Sequence, residues 1–158
     1  MKRTLAGLVL LSLVFMACTT WQSAAEPGPA ERTLIGFFQA LSDRDYEGAV
    51  RLYGGSYQQL RAMNPQSEPD DLASLWQTGC EVNGLVCLPV GQVVERANIS
   101  EQELLFTVEF REDDGQVFSL GPCCGADDPT AAPLVRFEYH VLYQDGVYLV
   151  WDMPVLLP

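Results

Sequence analysis

Two hydrophobic rhythms divide the chain. In ERTLIGFFQALS, Leu34, Ile35, Phe37, Phe38 and Leu41 recur at i, i+1, i+3, i+4 and i+7. That spacing lays one apolar stripe along a helix. DYEGAVRLYGG repeats the stripe with Tyr46, Ala49, Val50 and Tyr53. Asp43 or Asp45 is placed to cap this second helix, and Gly54-Gly55 to end it as C′ glycines do. A short third helix is expected from Ser56 through Tyr57, Leu60 and Met63, stopping before Pro65. Ser67 to Asp70 has capping-box spacing. It leads into DDLASLWQTG, where Leu72, Leu75 and Trp76 share a face and Gly79 closes the helix.

From Leu88 the period shortens. LPVGQVVERANI reads as a strand with mixed alternation, and Asn98 and Ser100 suit the turn after it. In ELLFTVEFRE, Leu104, Phe106, Val108 and Phe110 alternate with Leu105, Thr107, Glu109 and Arg111, the pattern of a half-buried strand. Asp113-Asp114-Gly115 signals a hairpin into a short strand, QVFSL, followed by the loop GPCCGADDP. PLVRFEYHVLY puts Val135, Phe137, Tyr139, Val141 and Tyr143 on one face, with Arg136, Glu138, His140 and Leu142 on the other. Gln144-Asp145-Gly146 is a second hairpin turn. It enters VYLVWDM, with Val147, Leu149 and Trp151 on one face. Helices first and an antiparallel meander second predict an α+β domain, its helices packed on the sheet.

The first residues have a different character. MKRTLAGLVLLSLVFMACTTW opens with basic Lys2 and Arg3 and continues as an apolar run from Leu5 to Ala17. The run is shorter than the roughly 20 residues a membrane-spanning helix needs. It has the proportions of a secretory signal. The small residue Ala17 followed by Cys18 resembles the lipobox of bacterial lipoproteins, although Phe15 stands where that family prefers Leu. The resemblance implies a diacylglyceryl group on the Cys18 thiol, and cleavage that makes Cys18 the first residue. The expected organisation is a signal peptide over 1–17, a lipidated cysteine and flexible tether over 18–29, and one domain over 30–158. Multiple acyl chains hold a protein stably to a membrane surface. The expected location is thus the extracytoplasmic side of a bacterial membrane.

Charge narrows the partners. Without the first 17 residues the chain contains no lysine, and its seven arginines face 21 carboxylates, a formal balance of −14. Phosphate backbones repel such a surface, so no nucleic-acid partner is expected. Anionic lipid heads repel it too, which leaves the lipid on Cys18 to make the membrane attachment. The acidic clusters Asp70-Asp71, Glu112-Asp113-Asp114 and Asp127-Asp128 fall at helix starts or turns, without EF-hand spacing. No phosphate-binding loop, dinucleotide fingerprint or nucleophile elbow occurs.

FFQALSDRDYEGAVRLYGG, together with the final hairpin ending in a Trp-containing strand, is similar to the NTF2-like superfamily over residues 30 to 152. The resemblance implies a cone-shaped fold with a cavity between helices and curved sheet. It implies no activity, because that superfamily spans isomerases, dehydratases, transport factors and lipid-anchored domains. In its enzymes, Asp, His or Tyr residues line the cavity. His140, the single histidine, alternates onto the face opposite Phe137 and Tyr139, and so is expected outside the cavity. Tyr46, Tyr53, Tyr57 and Tyr139 could line it, but their helical and strand spacing suits core packing.

Cysteines complete the picture. An exported compartment is oxidising. With Cys18 lipidated, Cys80, Cys87, Cys123 and Cys124 remain as disulfide candidates. Adjacent Cα atoms about 3.8 Å apart fall short of the usual disulfide span of about 4.4–6.8 Å. The two other pairings both tie Cys80 and Cys87 to Cys123 and Cys124, closing about 40 residues for about 3–4 kcal/mol. C-x6-C and CC do not match zinc spacing, and no C-x-x-C redox motif is present. No metal, cofactor or catalytic residue is therefore expected. The sequence points to a non-catalytic binding or scaffolding lipoprotein that takes a small apolar ligand or an envelope protein partner. The competing reading is an isomerase- or dehydratase-type enzyme using cavity acids or tyrosines. Whether Phe37, Phe38 and Trp76 plug the interior separates the two.

Overall fold

The computed structural model describes residues 26–121 and 132–157. Cys18, Cys123, Cys124, Asp127 and Asp128, with the signal and most of the tether, lie outside these residues. The described part is α+β. Four helices come first: α1 (Pro29–Ser42), α2 (Tyr46–Leu52), α3 (Gln58–Met63) and α4 (Leu72–Glu81). Four strands follow: β1 (Val90–Asn98), β2 (Glu103–Phe110), β3 (Phe137–Gln144) and β4 (Val147–Val150). They form one antiparallel meander in the order β1-β2-β3-β4.

Local chemistry explains most boundaries. The Asp45 carboxylate accepts the Gly48 N–H at 2.9 Å and caps α2. Asp71 accepts the Ser74 N–H at 3.0 Å and caps α4, so the cap falls there and not at Ser67. Gly79 does not end α4. It lies inside the helix, where a Cβ would come within 2.7 Å of Leu85 and 2.9 Å of Leu60. The β3–β4 turn is tight: Asp145 and Gly146 both adopt positive φ, 49° and 90°, as a two-residue hairpin loop requires. Register shifts at Val90/Gln92 and Val93/Glu95 are bulges in β1, which accounts for the mixed alternation of that strand. QVFSL forms no extended strand. Only the bridges Arg111–Val117 and Leu120–Leu134 pair there.

Gly54 and Gly55 serve a different purpose from the predicted one. α2 ends at Leu52, and Tyr53 is extended and bridges Val150 in parallel. Neither glycine has positive φ. Gly54 N–H donates to the Val150 carbonyl at 2.9 Å. A Cβ on Gly54 would sit 2.9 Å from Leu149, and one on Gly55 would overlap the Trp151 carbonyl oxygen. The pair lets the segment after α2 press against the outer edge of β4 (close backbone approach is a glycine property).

The core is aromatic. Phe37, Phe38, Trp76, Phe106 and Phe110 are fully buried, with Tyr139 nearly so. Phe37 meets Trp76 edge-on at 5.5 Å between ring centroids, and Phe38 meets Phe110 at 4.7 Å and Tyr139 at 4.8 Å. These are the offset and T-shaped arrangements that ring quadrupoles favour. Glu31 on α1 pairs with Arg96 on β1, whose guanidinium also lies 5.6 Å over the Phe106 ring.

The disulfide differs from the expected pairing. Cys80 bonds Cys87, with Cα atoms 5.7 Å apart. α4 carries Cys80 in its last turn. The chain then reverses at Gly84 (φ 78°), and the Leu85 N–H donates back to the Gly79 carbonyl at 3.0 Å. The reversal brings Cys87 alongside the helix end. Helix geometry and a left-handed glycine thus satisfy a local span that spacing alone did not reveal. The segment continues into a pairing with the C-terminal residues: Val86 N–H donates to the Val155 carbonyl at 2.8 Å, and Leu157 N–H to the Gly84 carbonyl at 2.9 Å.

Candidate binding surface

The space between helices and sheet is filled. Phe37, Phe38 and Trp76 occupy it with no exposed surface. Tyr53 and Tyr57 extend the same cluster, each ring standing edge-on to Trp76 at 5.0 and 5.7 Å. The Trp76 indole N–H donates to the Tyr57 hydroxyl at 3.2 Å. Burial raises the pKa of Tyr53 well above its ordinary value, and the neighbouring Tyr57 and Asp152 push in the same direction. Tyr57 is also raised by burial, against the opposing pull of the Trp76 hydrogen bond and Arg61. The buried Tyr139 is raised too, and its hydroxyl lies beside the Val155 backbone without a well-formed hydrogen bond. Tyr46 stands apart at the surface: its hydroxyl donates to Glu81 at 3.1 Å, and burial, then Glu81, raise its pKa. Three of the four tyrosines are therefore packed into the core and hold their protons.

His140 lies on the opposite face of β3, as alternation predicts, while Phe137, Tyr139 and Val141 are buried. Its surroundings were not legible in the sequence. Nδ1 lies 2.8 Å from the Asp152 carboxylate, and Nε2 lies 3.7 Å from Glu103. The His140 backbone N–H donates to the same Asp152 oxygen at 2.6 Å. β4 pairing ends just there: the Trp151 N–H still donates to the His140 carbonyl at 2.9 Å. One residue later the Asp152 carboxylate stands in for the missing strand carbonyl. The ring is bracketed by two carboxylates, and no hydroxyl or thiol among the described residues hydrogen-bonds to it.

The outer sheet face is only partly polar. Glu103 stands opposite Leu142, which stands opposite Leu149, and Leu105 stands opposite His140. Leu105, Leu142 and Leu149 are half-buried, Val147 is exposed, and Trp151 keeps 40% of its surface open. This face also carries the Arg136–Glu109 pair at 3.1 Å.

Beside it, at the seam between helices and β4, opens a cleft of about 550 Å³. It is lined by Tyr53, Ser56, Gln58, Gln59, Ala62, Trp151, Asp152 and Met153. α3 contributes the two glutamines, the Gly54-Gly55 segment sets Ser56, and the exit of β4 contributes Trp151 and Asp152. The Tyr53 hydroxyl donates to the Ser56 carbonyl at 3.3 Å, which fixes the floor. Sequence reasoning put Trp151 on a face with Val147 and Leu149 but assigned it no role. The available signal was an apolar stripe on the strand face opposite the core-facing Val150. A second concavity of about 520 Å³, on the sheet side, includes Glu95, Thr107, Arg136, Glu138 and Met153.

Among the described residues no cluster of three His, Cys, Asp or Glu side chains is placed to hold a metal ion. No helix among them is long and apolar enough to cross a membrane. Asp71 and Asp114 are accounted for by local bonds, the first as a cap and the second by accepting the Gln116 N–H at 2.9 Å. No family model matches the chain, and no curated protein matches it.

Proposed function

We propose that this chain is a lipid-anchored extracytoplasmic protein, held by acyl chains on Cys18, that binds its partner at the outer surface and catalyses no reaction. In this reading the domain is an NTF2-like cone whose interior is packed shut. One observation carries it: Phe37, Phe38 and Trp76 fill the place where a cavity would lie. An isomerase- or dehydratase-type mechanism of that superfamily needs an acid or tyrosine inside the enclosed cavity, whereas Tyr53, Tyr57 and Tyr139 pack against aromatic rings there and Asp152 lies at the outer cleft. The half-buried leucines and open indole on the sheet offer contact surface of the kind partners use.

Two measurements test this. Mass spectrometry of the mature N-terminus should find Cys18 first and carrying a diacylglyceryl group. An unmodified terminus at another residue rejects the anchor. Photo-crosslinkers at Leu149 and Val147, set against one at Arg32 on the far helix, should capture an envelope component only from the sheet positions. Equal capture from Arg32 rejects the outer sheet as the binding surface.

A further inference from the structure

We propose that the cleft at the helix–sheet seam is a binding site for an organic ammonium group. The inference rests on the outer-surface binding reading but not on the lipid anchor. Three independent observations point to positive charge. First, Trp151, a residue with 40% of its surface exposed, lines the cleft, and indole is the strongest side-chain π-system for a cation. Second, the lining carries one charge, the Asp152 carboxylate, and no arginine. Third, the chain has a formal balance of −12, which raises the local concentration of cations around a cleft.

No group among the described residues already fills this role. The chain after its first 17 residues contains no lysine. The nearest guanidinium on the same helix, Arg61, lies 6.0 Å over the Tyr57 ring and donates to the Pro69 carbonyl at 2.9 Å. Asp152 uses one oxygen on His140, which leaves its second oxygen without a hydrogen-bonding partner among the described residues. Ser56, Gln58 and Gln59 add neutral hydrogen-bonding groups, and Met153 an apolar wall. About 550 Å³ accommodates a small molecule's headgroup. An anionic ligand would meet the carboxylate with only amide, hydroxyl and indole donors to offset it. The ammonium can come from a quaternary small-molecule headgroup or from a lysine side chain of a partner. Both present the same charge to the same indole.

The test titrates the full chain, in a maltoside detergent, with three probes. These are choline, Nα-acetyl-lysine amide and the uncharged choline isostere 3,3-dimethylbutanol. The readout is the Trp151 indole N–H resonance, assigned with a Trp151→Phe variant, together with the Gln58 and Gln59 amides. Choline, the lysine probe or both should shift these signals saturably, and the tighter of the two identifies the source. The neutral isostere should bind more weakly. Asp152→Asn keeps an acceptor for the His140 N–H and should weaken the charged probe about three- to fivefold, the size of one partly exposed charge contact. Trp151→Leu, read on the glutamine amides, should do the same. Equal shifts from the neutral isostere, or none from either cation at tens of millimolar, overturn the proposal. The crosslinking result at Leu149 and Val147 is unaffected by that failure.

Discussion

Breaking the Cys80–Cys87 bond isolates one short staple. The bridge closes a sequence separation of 7. In the chain-entropy treatment a loop that short constrains the unfolded chain by about 2.4 kcal/mol, against about 4 kcal/mol for a bridge spanning 40 residues. Both cysteines are half-buried against the core, so replacement by alanine adds only a modest packing loss. The double variant Cys80→Ala/Cys87→Ala should lose about 2–3 kcal/mol in urea unfolding. For a domain of this size that lowers Tm by about 10 °C. The pairing itself can be read directly. Lys2 is the single lysine, so beyond it trypsin cuts only after arginine, and Arg61 and Arg96 flank both cysteines. A digest alkylated without reduction should release peptide 62–96 alone, two hydrogens lighter than its thiol form. Peptide 62–96 joined to 112–136, which holds Cys123 and Cys124, would refute the local bridge. So would a stability loss below about 0.5 kcal/mol.

Three other perturbations probe different joints. Gly55→Ala drives a methyl into the Trp151 carbonyl. It should cost about 1–3 kcal/mol by overpacking and shift the Trp151 indole resonance, whereas an unchanged spectrum would place the seam elsewhere. Glu31 is mostly buried, at 12% exposure, while Arg96 is half open. A double-mutant cycle with Glu31→Gln and Arg96→Met should give about 0.5–1 kcal/mol of coupling, the size of an ion pair partly open to solvent at the arginine; zero coupling removes the pair from the account. Burial raises the Tyr53 and Tyr139 hydroxyls in the folded state. Above about pH 10 the unfolded chain releases those protons and the native one retains them, so stability falls as pH rises further. Urea midpoints measured between pH 8 and 11 should drop only above 10, together with ultraviolet tyrosinate absorbance. A flat profile contradicts the buried assignment.

Periodicity carried information wherever one face meets one core. Leu34, Phe37, Phe38 and Leu41 are buried on α1, and Phe106, Val108 and Phe110 on β2, because a 3.6 or 2.0 period is the direct imprint of a single apolar wall. Gly54 and Gly55 misled for a related reason. A glycine pair after a helix satisfies either a left-handed C-cap or a close crossing, and only the position of Trp151 decides between them. The disulfide was obscured by a backbone reversal at Gly84 that no spacing rule encodes. His140 was placed on the correct face, yet Asp152 and Glu103 reach it from two other elements. The cleft was the least legible feature, since α3, a loop and a strand exit each contribute two or three residues that no single motif joins.

These observations share one physical origin. Packing Phe37, Phe38 and Trp76 into the interior removes the enclosed site that a helix-covered curved sheet could otherwise provide. The same packing makes the helical layer rigid, because interlocked rings leave little room for rotamer change. A rigid layer can press its Tyr53–Gly55 segment along the β4 edge, and the two missing side chains allow the contact. β4 then has to end at Val150: its outer neighbour is the extended Tyr53–Gly55 segment, and the chain beyond must turn toward Val86. That turn leaves Trp151 partly exposed and Asp152 with a carboxylate where a strand carbonyl would be. Closing the inside of the fold is therefore what builds an aromatic, acidic cleft on its outside. A variant that loosens the rings, such as Phe37→Ala, should weaken ammonium binding at Trp151 even though it never touches the ligand.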